Sequence, residues 1–338
     1  MKSSVIKLKN PVGFASCACV AGTKEHAGPF GDKFDICADD SFGQKTWEQS
    51  EAESQRLALE RAMTKGGYSD GDIGALFCGD LINQCTPSAQ GLLGFDIPHI
   101  GLYGACSTAV LGIGLAALTV ASGFFARCAA VTSSHNLTAE RQFRYPVEYG
   151  ALRTPTSQWT VTGAGAFILE KGSAKTSVRE FLPGRTVEMG ITDANNMGAA
   201  MAPAALDTIL RYFDETGTKP LDYDKIITGD LGQQGYEILC EQAEKHGVDL
   251  NPVLTDCGLL IYDREKQNVQ AGGSGCACSA LMLAGHFLRE LENGVLNNIL
   301  FIGTGALLSP LSVAQGDAIP GVAHLIRITG ERQNADIS

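Results

Sequence analysis

The sequence predicts an α/β protein made of two similar halves, and three observations carry that expectation. Short apolar runs alternate with helical stretches, one ordered set of motifs occurs twice, and 40 glycines among 338 residues suit closely packed strands and helices. Short buried strands alternating with helices imply largely parallel sheets covered on both faces.

In chain order the expected strands are "IGALFCG" (73–79), "CAAVTSS" (128–134), "GAGAFIL" (163–169), "KIITG" (225–229) and "NILFIGTG" (298–305). Between them lie the helical stretches "WEQSEAESQRLALERAMTKG", "STAVLGIGLAALTVASG", "GYEILCEQAEKHG" and "SALMLAGHFLRELENG". The repeat appears in three places. "FCGDLINQ" returns as "ITGDLGQQ", Asp80 to Asp230, an offset of 150; "ACS" returns with Cys106 to Cys278, an offset of 172; "SG" at Ser122 returns as "NG" at Asn293, an offset of 171. Three matches in one order argue for a duplicated unit. The change in offset places about 20 extra residues in the second half, where "LLIYDREKQNVQAGG" reads as a hairpin turning near "DREKQN". The halves are expected at residues 1–172 and 173–338, with a loop insertion at about 135–160. The helices starting at Cys106 and near Cys278 should pack side by side, approaching through Gly112, Gly114, Ala116, Ala117, Ala284 and Gly285.

Composition excludes several classes. With 44% hydrophobic and 19% charged residues the chain reads as an ordinary globular protein, and a formal charge of -11 makes nucleic acid and bare anionic lipid poor partners. The start, "MKSSVIKLKNPVGFASCACVAGTK", lacks the apolar core of a signal peptide, and no window approaches the roughly 18 apolar residues of a transmembrane span. Any membrane contact is therefore expected to be peripheral. The 11 cysteines are scattered, and the two CxC pairs (Cys17/Cys19, Cys276/Cys278) lack zinc-site spacing, so reduced thiols and no metal site are expected. "GAGAF" and "GTGAL" lack the context of a dinucleotide fingerprint and read as close packing. "DDSFGQ" and "SDGDIG" lack calcium-loop spacing. No cofactor is expected.

The two halves, with a small-residue helix beginning at Cys106 and "AGGSGCACSA" opening its counterpart, resemble the thiolase and ketoacyl-synthase superfamily. "TVTGAGAFILEKG" resembles the strand that closes the first half in type III synthases, and "GTGALLSP" their C-terminal glycine loop. More specifically, "GACST", "SSHNLTAERQFRYPVEYG", "LGITDANNMGAAMAPAALDTI", "AGGSGCACSA" and "GTGALLSP" together resemble the stage V sporulation protein AD family of endospore-forming bacteria, from the N-terminal region to about His324. The resemblance implies a thiolase-like α-β-α-β-α layering. It also implies a peripheral place at the forespore inner membrane, and work with other stage V sporulation membrane proteins in moving dipicolinic acid, with or without calcium, into the spore. Superfamily habit further implies a symmetric homodimer, paired through the strand containing "CAAVTSS".

Cys106 is the pivotal residue. A helix start can stabilise a thiolate, as in condensing enzymes, while a small buried residue between close helices is the plainer reading. Condensation also needs donors for the developing oxyanion, each worth about 3 kcal/mol. In the type III pattern a histidine follows the second-half strand and an asparagine opens the glycine turn; this chain has Gly229 and Asp230, then Gly273. His246 reads as a helix end capped by Gly247, and Gln270 stands where a thiolase-type second cysteine would be. What remains suits a polar ligand. His135 and Asn136 end one strand; Asp80, Asn83 and Gln84 end another; Asp230, Gln233 and Gln234 repeat them. Each set also reads as loop or helix caps. Arg141, Arg144 and Arg153 punctuate the loop, either as solvated residues or as guanidinium forks for a dicarboxylate. Three readings stay open: a non-catalytic dipicolinate binder, an acyl-condensing enzyme using Cys106, and a pure scaffold.

Overall fold

The computed structural model describes residues 4–144, 153–172 and 174–330. Its strands form two sets with the same order. In the first, His99–Gly101, Leu76–Gly79, Arg127–Ser134, Gly163–Lys171 and Ile6–Ala21 lie side by side; in the second, Leu254–Asp256, Lys225–Thr228, Asn298–Ala306, Gly321–Gly330 and Thr176–Leu182 do. Numbered within each set, both run 3-2-4-5-1, and both carry two parallel and then two antiparallel pairings. The sets join where Ile6–Ala21 pairs antiparallel with Thr176–Leu182. This is the duplication read from the motifs: the strands carrying "FCG" and "ITG" occupy the same place.

The sheets are mixed rather than largely parallel. Strands two, three and four are linked by helical crossovers, which give parallel pairing; the fifth returns without one and pairs antiparallel. "CAAVTSS" is likewise not an edge, because Arg127–Ser134 is paired on both sides. The first set's edge is His99–Gly101.

Layering follows from what each helix buries. Trp47–Gly66, capped by the Thr46 hydroxyl and ended by Gly67 at φ 71°, covers the outer face of the first set. Met197–Thr216 covers the second. Between the sheets lie Thr108–Ala121, which packs on strands of both sets, and Cys276–Met282 beside it. Every residue of Cys276–Met282 is buried, as a central layer requires. The helices do touch, yet two of the glycines expected at their contact serve other neighbours. A Cβ on Gly114 would lie 2.4 Å from the Phe181 ring, and one on Gly285 3.0 Å from Phe34. These glycines admit side chains from a strand and a loop. "GAGAF" and "GTGAL" are close-packing strands, as expected: a Cβ on Gly165 would meet Ala280 at 2.7 Å, and one on Gly305 the Gly104 carbonyl at 2.4 Å.

Two local expectations change. "DREKQN" is no hairpin: Asp256 and Asp263 cap single helical turns, Cys257–Leu260 and Arg264–Gln267, and Asn268 at φ 53° ends the second. Asx caps outcompete a turn between strands here. The 135–160 insertion begins as a helix, Asn136–Phe143; its residues 145–152 lie outside the described residues.

Because Phe181 fills the space over Gly114, Gly114→Val is expected to lower stability by about 3 kcal/mol through overpacking, read as a lower urea midpoint at unchanged m-value.

Candidate functional site

Cys106 sits on the tight turn that launches the central helix. Ala105 holds φ 49°, a left-handed conformation costly for alanine, and the Ser107 and Thr108 amides donate back to the Gly104 and Ala105 carbonyls. Glycines at 303 and 305 let the fourth strand of the second set back directly onto this turn. The thiol is 6% exposed and belongs to a small cluster with Leu81, Ala139 and Cys276, against which Ile82 and Phe143 pack. Tyr103, half-exposed, stands near Cys106 and Cys276.

The second half completes the site through Asp230. Its carboxylate accepts from Thr304 Oγ1 at 2.7 Å and from the Gly275 amide at 2.8 Å, and the Cys106 thiol lies close to it. Ser274 Oγ lies 3.9 Å from Cys106 Sγ. Gln158, from the first half, donates to the carbonyls of Asp230 (2.7 Å) and Gly273 (2.8 Å). The strands Trp159–Thr160 and Gly273–Ser274 pair in parallel and clamp the halves together here. Burial lifts the Asp230 carboxyl to about 6, and burial together with the Asp230 charge pushes the Cys106 thiol well above its usual value. An acid facing the sulfur keeps it protonated and opposes the negative charge an acyl-transfer intermediate develops.

The other candidates have distinct places. His135 is buried: Nδ1 accepts from the Leu137 amide at 3.1 Å, Nε2 donates to the Asp40 carbonyl at 2.8 Å, and the ring stacks on Trp47. Both nitrogens are committed to backbone, and burial favours the neutral ring. Asn136 opens the next helix one turn before Ala139 and two before Phe143, on the face that covers Cys106. Its side-chain Nδ2 is buried with no hydrogen-bond partner.

Asp80 accepts from the Ile82 amide and from the Ser88 amide and hydroxyl, so it caps the 86–91 helix. Burial raises its pKa, as does that of nearby Glu51, lifted to about 8. Asn83 and Gln84 are exposed, and Gln84 has a positive φ of 57°. Gln233 accepts from Arg264, while Gln234 is partly buried.

The three arginines are held by acids. Arg141 pairs with Glu48; Arg153 pairs with Glu140 at 2.9 Å and lies over the Trp159 ring at 4.4 Å; Arg144 bonds Asn195 and approaches Glu140 at 3.7 Å. Sequence reasoning missed Gln158, Ser274, Thr304 and Tyr103 as neighbours of the site. Ser274 and Thr304 lie inside the two glycine motifs, which were the available signal; nothing in the chain marks Gln158.

A family model described as Stage V sporulation protein AD matches residues 2–329. The chain is 41% identical over 317 residues to the Stage V sporulation protein AD of Bacillus subtilis (strain 168), covering 94% of each. Solved structures of OleA from Xanthomonas campestris share the architecture. One matches with a TM-score of 0.60 at 14% identity over 96% of this chain and 99% of that one. A cerulenin-bound form matches with a TM-score of 0.59 at 16% identity, over the same shares. At such identities the likeness shows the fold alone, and that fold is thiolase-like.

With its thiol held protonated beside Asp230, Cys106 is expected to react far more slowly with iodoacetamide at neutral pH than exposed Cys37. Asp230→Asn should speed it. Peptide mass spectrometry over a labelling time course reads both, and fast labelling of wild-type Cys106 would overturn this picture of the site.

Proposed function

The chain belongs to the stage V sporulation protein AD family, and from that premise we propose that it is a non-catalytic binder of dipicolinic acid, free or as its calcium chelate. In this reading it hands the ligand to membrane partners during uptake into the developing spore, as a peripheral protein at the forespore inner membrane. No helix among the described residues is long and apolar enough to cross a membrane, which is compatible with that place.

The observation that carries the reading is Asp230 beside Cys106. A condensing enzyme needs a thiolate and donors; this site offers a protonated thiol and an acid. The apolar walls from Leu81, Ile82, Ala139 and Phe143 suit the flat ring of pyridine-2,6-dicarboxylate. Of the loop arginines, Arg153 connects to the site through Trp159 and its strand partner Gly273, and a ligand carboxylate would have to share it with Glu140. The acyl-condensing alternative through Cys106 draws no support from these contacts.

A homodimer belongs to the same proposal, moved to a different strand. His99–Gly101 is exposed throughout and paired on one side only, whereas the equivalent second-half edge buries Leu254 and Asp256. An exposed edge flanked by Ile100 and Tyr103 suits antiparallel pairing with its own copy across a two-fold axis.

Isothermal titration with dipicolinate is expected to give saturable heat, and Cys106→Phe, which fills the space beside Leu81 and Ala139, to abolish it while the protein stays folded. Absence of heat and of thermal shift with millimolar ligand, with or without calcium, would leave only a scaffold.

The dimer has its own check. Leu76 N donates to Pro98 O and Leu102 N to Cys78 O, so the alternate residue His99 presents its backbone outward. His99→Pro should therefore remove an outward donor, sparing the inner ladder, and shift sedimentation from twice the 35.6 kDa chain mass to once.

A further inference from the structure

We infer that Asp230 and Asn136 form a carboxyl-recognition pair beside Cys106: one ligand carboxyl group shares a proton with Asp230 and accepts from the Asn136 amide. The inference rests on the ligand-binding reading above and adds the contacting residues and the protonation state they demand.

Geometry points there from both halves. Asp230 is 1% exposed, close to Cys106, and fixed by Thr304 Oγ1 and the Gly275 amide. Asp230 has no ion-pair partner among the described residues. The titratable groups facing it are the thiols of Cys106, Cys257 and Cys278 and the carboxyl of Asp256, none of them a cation. Ser274 and Thr304 add only hydroxyls. From the first half, Asn136 is 6% exposed, with its Nδ2 buried and unpartnered, on the helix whose Ala139 and Phe143 pack with Cys106. Gln158 brings a second orphan: its Nε2 is used twice, on Asp230 and Gly273, while its Oε1 is buried without a donor. Buried polar atoms of this kind cost stability unless something satisfies them; one lies on Gln158, which bonds the Asp230 backbone, and one on the helix face packed over Cys106, so a polar ligand between them would meet both.

The charge balance then dictates the chemistry. A carboxylate cannot settle against an ionised Asp230 with no cation between them, because like charges at hydrogen-bond distance force one of the pair to hold a proton. With a proton supplied, the two carboxyl groups form a short charge-assisted bond, and the ligand's remaining oxygen takes the Asn136 amide. The proton comes from solvent, so ligand binding and proton uptake are one event. Asp230 is already displaced toward the protonated form by burial, to about 6, which lessens the free energy of that uptake near neutral pH.

The test is titration calorimetry of the full chain with pyridine-2,6-dicarboxylate in buffers of differing ionisation enthalpy, from about pH 5.5 to about pH 8, where the free ligand stays a dianion. Wild-type protein is expected to take up close to one proton per site at the alkaline end and only a minor fraction of one at the acid end. Affinity should fall about tenfold per pH unit once Asp230 is ionised. Asp230→Asn should remove both the uptake and the slope while still binding, and Asn136→Ala should weaken binding at least tenfold with the slope intact. Binding without proton uptake, or the same uptake in Asp230→Asn, overturns this inference and leaves the binding reading standing. No binding at any pH overturns both.

Discussion

The paired strands Trp159–Thr160 and Gly273–Ser274 are the smaller of two sheets among the described residues, and the geometry around Cys106 depends on them. They join the long first-half loop to the second-half glycine turn, and Gln158 extends the clamp by bonding the Asp230 and Gly273 carbonyls. Without that clamp, Cys106 on one half and Asp230 on the other would have no fixed separation. Glycine makes the contact feasible: Gly272 and Gly275 hold φ of 123° and 100°, and a Cβ on Gly275 would sit 2.6 Å from Ser134 Oγ. The hydroxyl of Ser134 instead accepts from the Ala277 amide, tying the central helix to the end of the fourth strand. Backbone approach of this kind is what glycine is for.

The duplicated plan also shows where the halves part company. Asp80 and Asp230 follow equivalent strands and read alike in sequence. Asp80 turns back on its own helix, spending both oxygens on Ile82 and Ser88. Asp230 is relieved of that duty by Asp256, which accepts from the Leu231, Gly232 and Leu259 amides. The capping work passes to a neighbour, and Asp230 is free to reach across to Gly275, Thr304 and the thiol. One duplicated residue thus became a cap in one half and a link between the glycine turn and Thr304 in the other.

Much of the fold was legible because it is written in local patterns. The motif offsets located equivalent strands, and the small-residue helices told of a central layer. The mixed sheet was not legible, since strand direction depends on the path of a connection rather than on the strand's own residues; the edge assigned to "CAAVTSS" failed for the same reason. Within the site, sequence identified Cys106, Asp230 and Asn136 and noted the absent oxyanion donors. It could not decide between cap and ligand group, because a histidine or aspartate at a strand end looks the same whichever way its side chain turns. His135 turned to backbone and Asp80 to its helix; Asn136 kept an unmet donor.

Buried acids recur through this protein, and their surroundings separate structure from function. Glu51 accepts from Ser133 and Thr138, Glu25 from Tyr262 and the Thr162 amide, and Asp256 from three backbone amides and Thr228. Each is lifted by burial, to about 8, 7 and 7 in turn, and each looks inward on donors that repay part of its desolvation. Those contacts describe polar cores that specify how helices seat on sheets. Asp230 has fixed donors too, but it also faces a thiol, at a junction where two neighbouring amide side chains have atoms unsatisfied. Glu25 also keeps an unmatched oxygen, as does Gln55, which shares Ser133 with Glu51; what sets the Asp230 cluster apart is its place, at the junction of the two halves and against the Cys106 thiol.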